Sequence, residues 1–255
     1  MFAFTLMVMI ILEHALPARR YSGNALKHNL DNLLLGASGT ILLRLVPGIL
    51  AAHLALQNEL WQIGISYSLD LPQSSLLFTV SAVVFLDFCI YWQHRYFHYN
   101  KYLWRLHRVH HSDTMLSASS ALRFHPLEIL LSMLIKSALV LGLGIPFVAV
   151  VLFEILLNAC AIFNHTNIRL PKRFEQIFRR LVVTPSMHRI HHSTDLVDSN
   201  RNFGFCLSVW DRAFNSYAPL NSSGINNFVM GVKEVEKTES EGLASLITQP
   251  FKQQR

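Results

Sequence analysis

Apolar residues run along this chain in long stretches separated by short polar breaks, and the stretches predict helices of membrane length. Residues 1–12 are uncharged and apolar, extending to about Leu16 if Glu13 and His14 sit at an interface. With no basic leader and no small-residue cleavage site, this segment reads as a short first span rather than a signal peptide. Residues 31–56 form a second stretch, interrupted by Arg44 and Pro47, and residues 76–92 a third. Residues 127–144 and 146–163 are parted by the breaker Gly144-Ile145-Pro146. An 18-residue run reaches about 27 Å as a helix, just enough to cross hydrocarbon. The last two stretches therefore predict a hairpin that crosses and returns.

Composition agrees. Of the 255 residues, 51% are hydrophobic and 15% charged, against about 25% charged in soluble domains. That excludes disorder, fibrous rods and most soluble enzymes. The expected fold is all-α, an integral membrane bundle of four to five helices. Residues 17–30 hold Arg19, Arg20 and Lys27 without an acid, residues 57–75 hold Glu59 and Asp70 without a base, and residues 93–126 are again basic. Alternating spans put the basic loops on one side, so the positive-inside rule turns that side toward the cytoplasm. The net charge of +6 then reads as a face for anionic headgroups rather than nucleic acid. Residues 171–183 form a basic amphipathic stretch, either against headgroups or packed on the cap. Cys89, Cys160 and Cys206 form no metal or disulfide pattern and read as packing residues. The chain divides into membrane helices (1–93), a first histidine-rich segment (94–126), the hairpin (127–165), a cap (166–220) and a polar, peripheral tail (221–255).

Histidine adds the chemistry. Ten of the 13 histidines fall between His94 and His192. His94 and His98 stand at i and i+4. His107, His110 and His111 occur in His-Arg-Val-His-His-Ser, and His188, His191 and His192 in the near copy His-Arg-Ile-His-His-Ser. Positions i, i+3 and i+4 share one helix face. His165 stands alone in Phe-Asn-His-Thr-Asn, and His125, in Arg-Phe-His-Pro, is either a further ligand or a hydrogen bonder at a helix start. His14, His28 and His53 read as structural. Four ligands complete one zinc site, so eight to ten imidazoles point to two neighbouring ions of a metal that suits imidazole: Zn, Cu, Fe or Ni. Asp113 and Asp195 closely follow the two triads and are candidates to accept N–H bonds from ligand imidazoles, with a surface or capping role as the alternative.

The ordered boxes resemble those of the fatty acid hydroxylase/sterol desaturase superfamily, as do Asn200-Arg-Asn-Phe-Gly204 and Trp210-Asp211-Arg-Ala-Phe214. The family pattern usually has Tyr where Phe203 stands and Gly-Thr at Asn215-Ser216. This resemblance implies a membrane-bound, non-haem di-iron enzyme that uses O2 to hydroxylate or desaturate a lipid, with a histidine-rich cap facing the cytosol. It assigns two irons to His94, His98, His107, His110, His111, His165, His188, His191 and His192, with His125 as an optional tenth ligand. Zinc can replace iron as purified, because it binds imidazole more tightly than ferrous iron. The chain carries no haem-attachment, ferredoxin or flavin motif, so electrons are expected from a separate cytochrome b5-, ferredoxin- or flavoprotein-type donor. Two rival readings are a zinc-dependent membrane hydrolase, which wants an acidic base in a His-Glu-x-x-His-type motif that is absent, and a bis-histidine haem carrier, which wants paired histidines inside facing spans.

Overall fold

The structure, a computed structural model, describes residues 2–21, 23–219 and 229–252, and the named elements within them are all helical. The chain runs through α1 (Phe2–Ala15), α2 (Ala25–Arg44), α3 (Ala51–Trp61), the single turn α4 (Ile65–Ser68), α5 (Leu76–Tyr99) and α6 (Lys101–His111). α7 (Pro126–Leu143) and α8 (Phe147–His165) follow. Short helices complete it: α9 (Lys172–Phe178), α10 (Pro185–His191), α11 (Leu196–Ser199), α12 (Val209–Ala213) and α13 (Leu243–Thr248). By length and composition three described helices, α5, α7 and α8, can cross a membrane, against the four to five expected; α1 is apolar but shorter. Leu77, Val80, Phe85, Leu134, Val148 and Leu152 are all exposed on these three helices. Such a surface suits lipid tails, because a helix satisfies its own backbone groups there.

The expected hairpin forms. α7 ends at Gly144 with φ 69°, where a Cβ would lie 2.4 Å from Ser66 Oγ; the left-handed turn and the close approach both demand glycine. Pro146 then leads directly into α8. Ala51 and Ala55 of α3, Ala82 of α5 and Ala149 of α8 let three helices approach closely, and Leu86 and Phe153 fill the space between them.

The stretch at 31–56 divides instead of crossing once. α2 stops after Arg44, the chain turns through Gly48 (φ 73°), and α3 begins at Ala51. Arg44 and Pro47 mark a boundary between two helices. Asp31 and Asn32 are buried on α2, where Asp31 accepts from Gly242 N and Asn32 Nδ2 donates to Ser119 Oγ. Nor is the described part of the tail peripheral. In residues 229–252, Leu246 is buried with Leu35 and Val109, and the carbonyls of Ser240 and Gln249 accept from the guanidinium groups of Arg123 and Arg108. Ser240 and Gln249 are themselves buried, so polarity at these two positions does not mean solvent. Residues 221–228 and 253–255 lie outside the described residues.

Two details position the cap. Glu13 is buried, and its Oε2 accepts from Ala118 N and Asn167 N, fastening α1 to the loops above the membrane helices. Asn100 ends α5, and its Oδ1 accepts from Tyr102 N and Leu103 N to start α6. That one capped corner folds the last turns of α5 against α6.

Candidate metal centre

Nine imidazoles from four helices meet where α5 and α8 end. One set comprises His94, His98, His107, His111 and His191, the other His110, His165, His188 and His192; within each set the ligating atoms lie within 4.8 Å of one another. The sets adjoin, for the rings of His111 and His192 stack at 4.3 Å. The near-identical triads divide reciprocally. On α6, His107 and His111 enter the first set and His110 the second. At α10, His188 and His192 enter the second set and His191 the first. Each triad therefore gives its i, i+4 pair to one set and its remaining histidine to the other.

Hydrogen bonds fix the ring nitrogens. Nδ1 of His94 donates to Phe203 O at 2.8 Å, His110 to Arg123 O at 3.2 Å, His165 to Ala161 O at 2.6 Å and His191 to Arg201 O at 2.8 Å. A carbonyl oxygen only accepts, so the proton sits on Nδ1 and the Nε2 lone pair faces the cluster. His94 Nε2 lies 3.0 Å from His191 Nε2, and His165 Nε2 lies 3.0 Å from His110 Nε2. In both contacts lone pair meets lone pair at hydrogen-bond distance with no proton to share. His107 Nε2 is buried with no hydrogen-bond partner among the described residues. Burial and neighbouring imidazoles hold His110, His111, His188 and His192 well below the ordinary 6.5. Burial pushes His191 down to about 3. Protonation does not relieve the contacts at neutral pH, whereas a metal cation does. Nitrogens about 2.1 Å from one ion sit about 3.0 Å apart at a right angle and about 3.4 Å apart at a tetrahedral one. The shortest nitrogen pairs here span 2.9–3.2 Å, so the donor set fits metal.

The same burial carries a pH expectation. The unfolded imidazoles titrate near 6.5 and the folded ones lower, so between the two the unfolded chain binds more protons. Stability is fully present above about pH 6.5 and is lost as pH falls toward about 3. Melting of the chelated protein from pH 8 to pH 4 should show a flat Tm above 6.5 and a falling Tm below it. A Tm independent of pH across that window would contradict the neutral, buried cluster.

The remaining residues singled out from sequence lie elsewhere. His125 caps α7: its Nδ1 accepts from Leu127 N and its Nε2 donates to Ile247 O. Asp113 accepts from His28 Nε2 at 2.9 Å and from Ser120 Oγ, and Asp195 caps α11 by accepting from Val197 N. The carboxylate that does meet the cluster is Glu128, whose Oε1 accepts from His107 Nδ1 at 2.7 Å. Its sequence signal was an acid opening an otherwise apolar run.

Asp87 and Asp211 shape the loop beneath the rings. Asp211 accepts from Phe203 N, Gly204 N and Ser216 Oγ; Asp87 accepts from Cys206 N, Leu207 N and Trp210 Nε1. A Cβ at Gly204 would lie 2.7 Å from Asp211 Oδ2. Phe203 is buried against the rings of His94, His98 and His191 at 5.9, 5.1 and 5.5 Å. Asn215 stands with φ 57°, a conformation glycine prefers and asparagine tolerates, so the departure at that position keeps the turn.

A cavity of about 350 Å³ runs from His94, His107, His110 and His188 down between α5, α7 and α8. A family model for fatty acid hydroxylases matches residues 79–216, a little over half of the chain. The chain belongs to the fatty acid hydroxylase family. The matched stretch contains all nine clustered histidines together with Glu128 and Asp211, so the resemblance read from the boxes is borne out. Among relatives in this superfamily, human alkylglycerol monooxygenase is 29% identical over 198 residues, covering 75% of this chain and 42% of that protein. Ornithine lipid hydroxylase of Rhizobium tropici is 27% identical over 174 residues, covering 68% and 50%. Sphinganine C4-monooxygenase 1 of Arabidopsis thaliana is 31% identical over 179 residues, covering 68% and 61%. The chain thus spans about half the length of these curated relatives. No solved structure matches it.

Proposed function

We propose that the protein is an O2-dependent, di-iron lipid hydroxylase, each iron held by one histidine set. The observation that carries this reading is the pair of facing lone pairs, His94 with His191 and His110 with His165, which only bound cations reconcile with neutral, buried rings. Two irons bound there would supply the electron transfer that activates O2 toward a C–H bond. The balance is RH + O2 + two electrons + two protons giving ROH + H2O. The electrons come from a separate cytochrome b5-, ferredoxin- or flavoprotein-type donor.

This chain's own residues do the rest. The carbonyls of Phe203, Arg123, Ala161 and Arg201 hold the rings in one tautomer, and Glu128 holds His107. Phe97, Phe124 and Phe205 wall the cavity beside the histidines and exclude water. An apolar chain entering from the hydrocarbon loses no contact with water on the way. The basic loops turn the cap to the cytoplasm. The names of the relatives, monooxygenases and a hydroxylase of alkylglycerol, ornithine lipid and sphinganine, support a lipid substrate.

The test combines metal analysis with labelled oxygen. Iron-loaded protein in lipid nanodiscs, given a reductant system and a lipid extract under 18O2, should hold two irons per chain and yield lipids carrying one 18O atom. Full activity with one ion per chain would overturn the dinuclear reading. Loss of two hydrogens without label would mark a desaturase instead.

A further inference from the structure

The cavity below the histidines has a second polar station, deep among the membrane helices. Lys136 of α7 and Glu154 of α8 both line it, with Lys136 Nζ 2.8 Å from Glu154 Oε1. Glu128, Ser132 and Lys136 follow one another at successive turns on the cavity side of α7, and Ser132 Oγ accepts from Gln93 Nε2 at 2.9 Å. Lys136 stands eight residues, about 12 Å of helix, beyond the Glu128 that holds His107. The rest of the lining is largely apolar, including Ile90, Phe97, Met133 and Leu157.

A charged pair at hydrocarbon depth is expensive and as a rule faces a functional pathway. Packing does not require this one, since α7 packs on α2 and α3, and α8 on α1, α3 and α5. The two side chains reach across the gap that the cavity occupies. Their bonding capacity is unfinished. Nζ carries three protons and spends one on Glu154 Oε1, and Glu154 Oε2 has no hydrogen-bond partner among the described residues. A donor and an acceptor stand side by side.

We propose that Lys136 and Glu154 form a polar subsite of the substrate cavity that binds a hydroxyl or amide group of the lipid. Such a neutral group accepts from Nζ and donates to Oε2 without parting the pair. A carboxylate or ammonium group would displace one partner and leave the other uncompensated. Resting on the hydroxylase reading, the subsite also acts as a ruler. The separation between the anchored group and the histidine cluster then selects the carbon that is oxidised.

The experiment uses metal-free protein in detergent micelles, with 1-dodecanol and 1-methoxydodecane competing against a fluorescent long-chain alcohol. The ether accepts a hydrogen bond but cannot donate one. Wild type should prefer the alcohol by about tenfold or more, the scale of a hydrogen bond to a charged group. Lys136→Leu/Glu154→Leu removes both charges together, so neither is left unpaired, and should erase the preference. Equal binding of alcohol and ether by wild type overturns the subsite, and that comparison needs no variant. An intact preference in the folded double variant overturns it as well. With iron restored, wild type should hydroxylate the alcohol predominantly at one carbon, and the double variant should scatter the position. A preserved binding preference with no oxidation under any condition supports the subsite and counts against the hydroxylase reading alone.

Discussion

Replacing either His110 or His191 by alanine should abolish lipid oxidation, lowering turnover by about 10³-fold or more, and the double variant should be no worse than either single. The two residues belong to different sets, which adjoin through the stacked rings of His111 and His192. If both ions act in one reaction, losing either disables the unit, and groups that act as a unit show grossly non-additive losses. His110→Ala leaves three imidazoles in its set and His191→Ala leaves four in the other. Metal analysis should therefore show the larger loss of bound iron for His110→Ala. His53→Ala is the control, since His53 is exposed on α3 and outside both sets. Because ligation also supports folding, helix content and membrane insertion are measured alongside. Wild-type turnover by either single variant, correctly inserted, would remove the basis of the dinuclear reading.

The reciprocal sharing of the two triads shows where sequence reasoning reaches its end. The spacing placed three imidazoles on one helix face, and the structure agrees. Which of the three serves which set depends on how α6 and α10 approach each other, and that is a tertiary fact. The hairpin was legible because Gly144 and Pro146 act locally on backbone conformation. The break at Gly48 was legible only as an interruption at Arg44 and Pro47, because apolar residues continue on both sides and read as one span. Four of the groups that orient the rings are backbone carbonyls, which any residue type can supply, so no motif could disclose them. Asp113 illustrates the reverse. Its place two residues after a histidine triad suggested contact with the cluster, but the helix ends at His111 and the chain turns, leaving the carboxylate against His28.

Glu128 gives the second large effect, and a graded series of variants separates its chemistry from its packing. It opens α7, one turn after the cap residue His125, where the helix dipole favours an acid. Its Oε1 accepts from His107 Nδ1, and its Oε2 is buried without a hydrogen-bond partner among the described residues. An imidazole whose Nδ1–H donates to a carboxylate presents Nε2 as a stronger ligand, and removing such a partner typically lowers metal affinity or activity 10–100-fold. Glu128→Gln retains an acceptor for Nδ1–H, so the tautomer survives and the charge is lost; iron affinity should fall about tenfold. Glu128→Leu removes the acceptor as well, frees the ring to turn, and should lower affinity about 100-fold. A purely structural role predicts a different order. The apolar leucine, which leaves no unpaired carboxylate oxygen, would then match or exceed glutamine in thermal stability, and both variants would bind iron like wild type. Chelator competition against each variant, with Tm measured on the same samples, decides between the two orders. Iron affinity falling from Glu to Gln to Leu while Tm stays level places Glu128 behind His107 as the group that positions it.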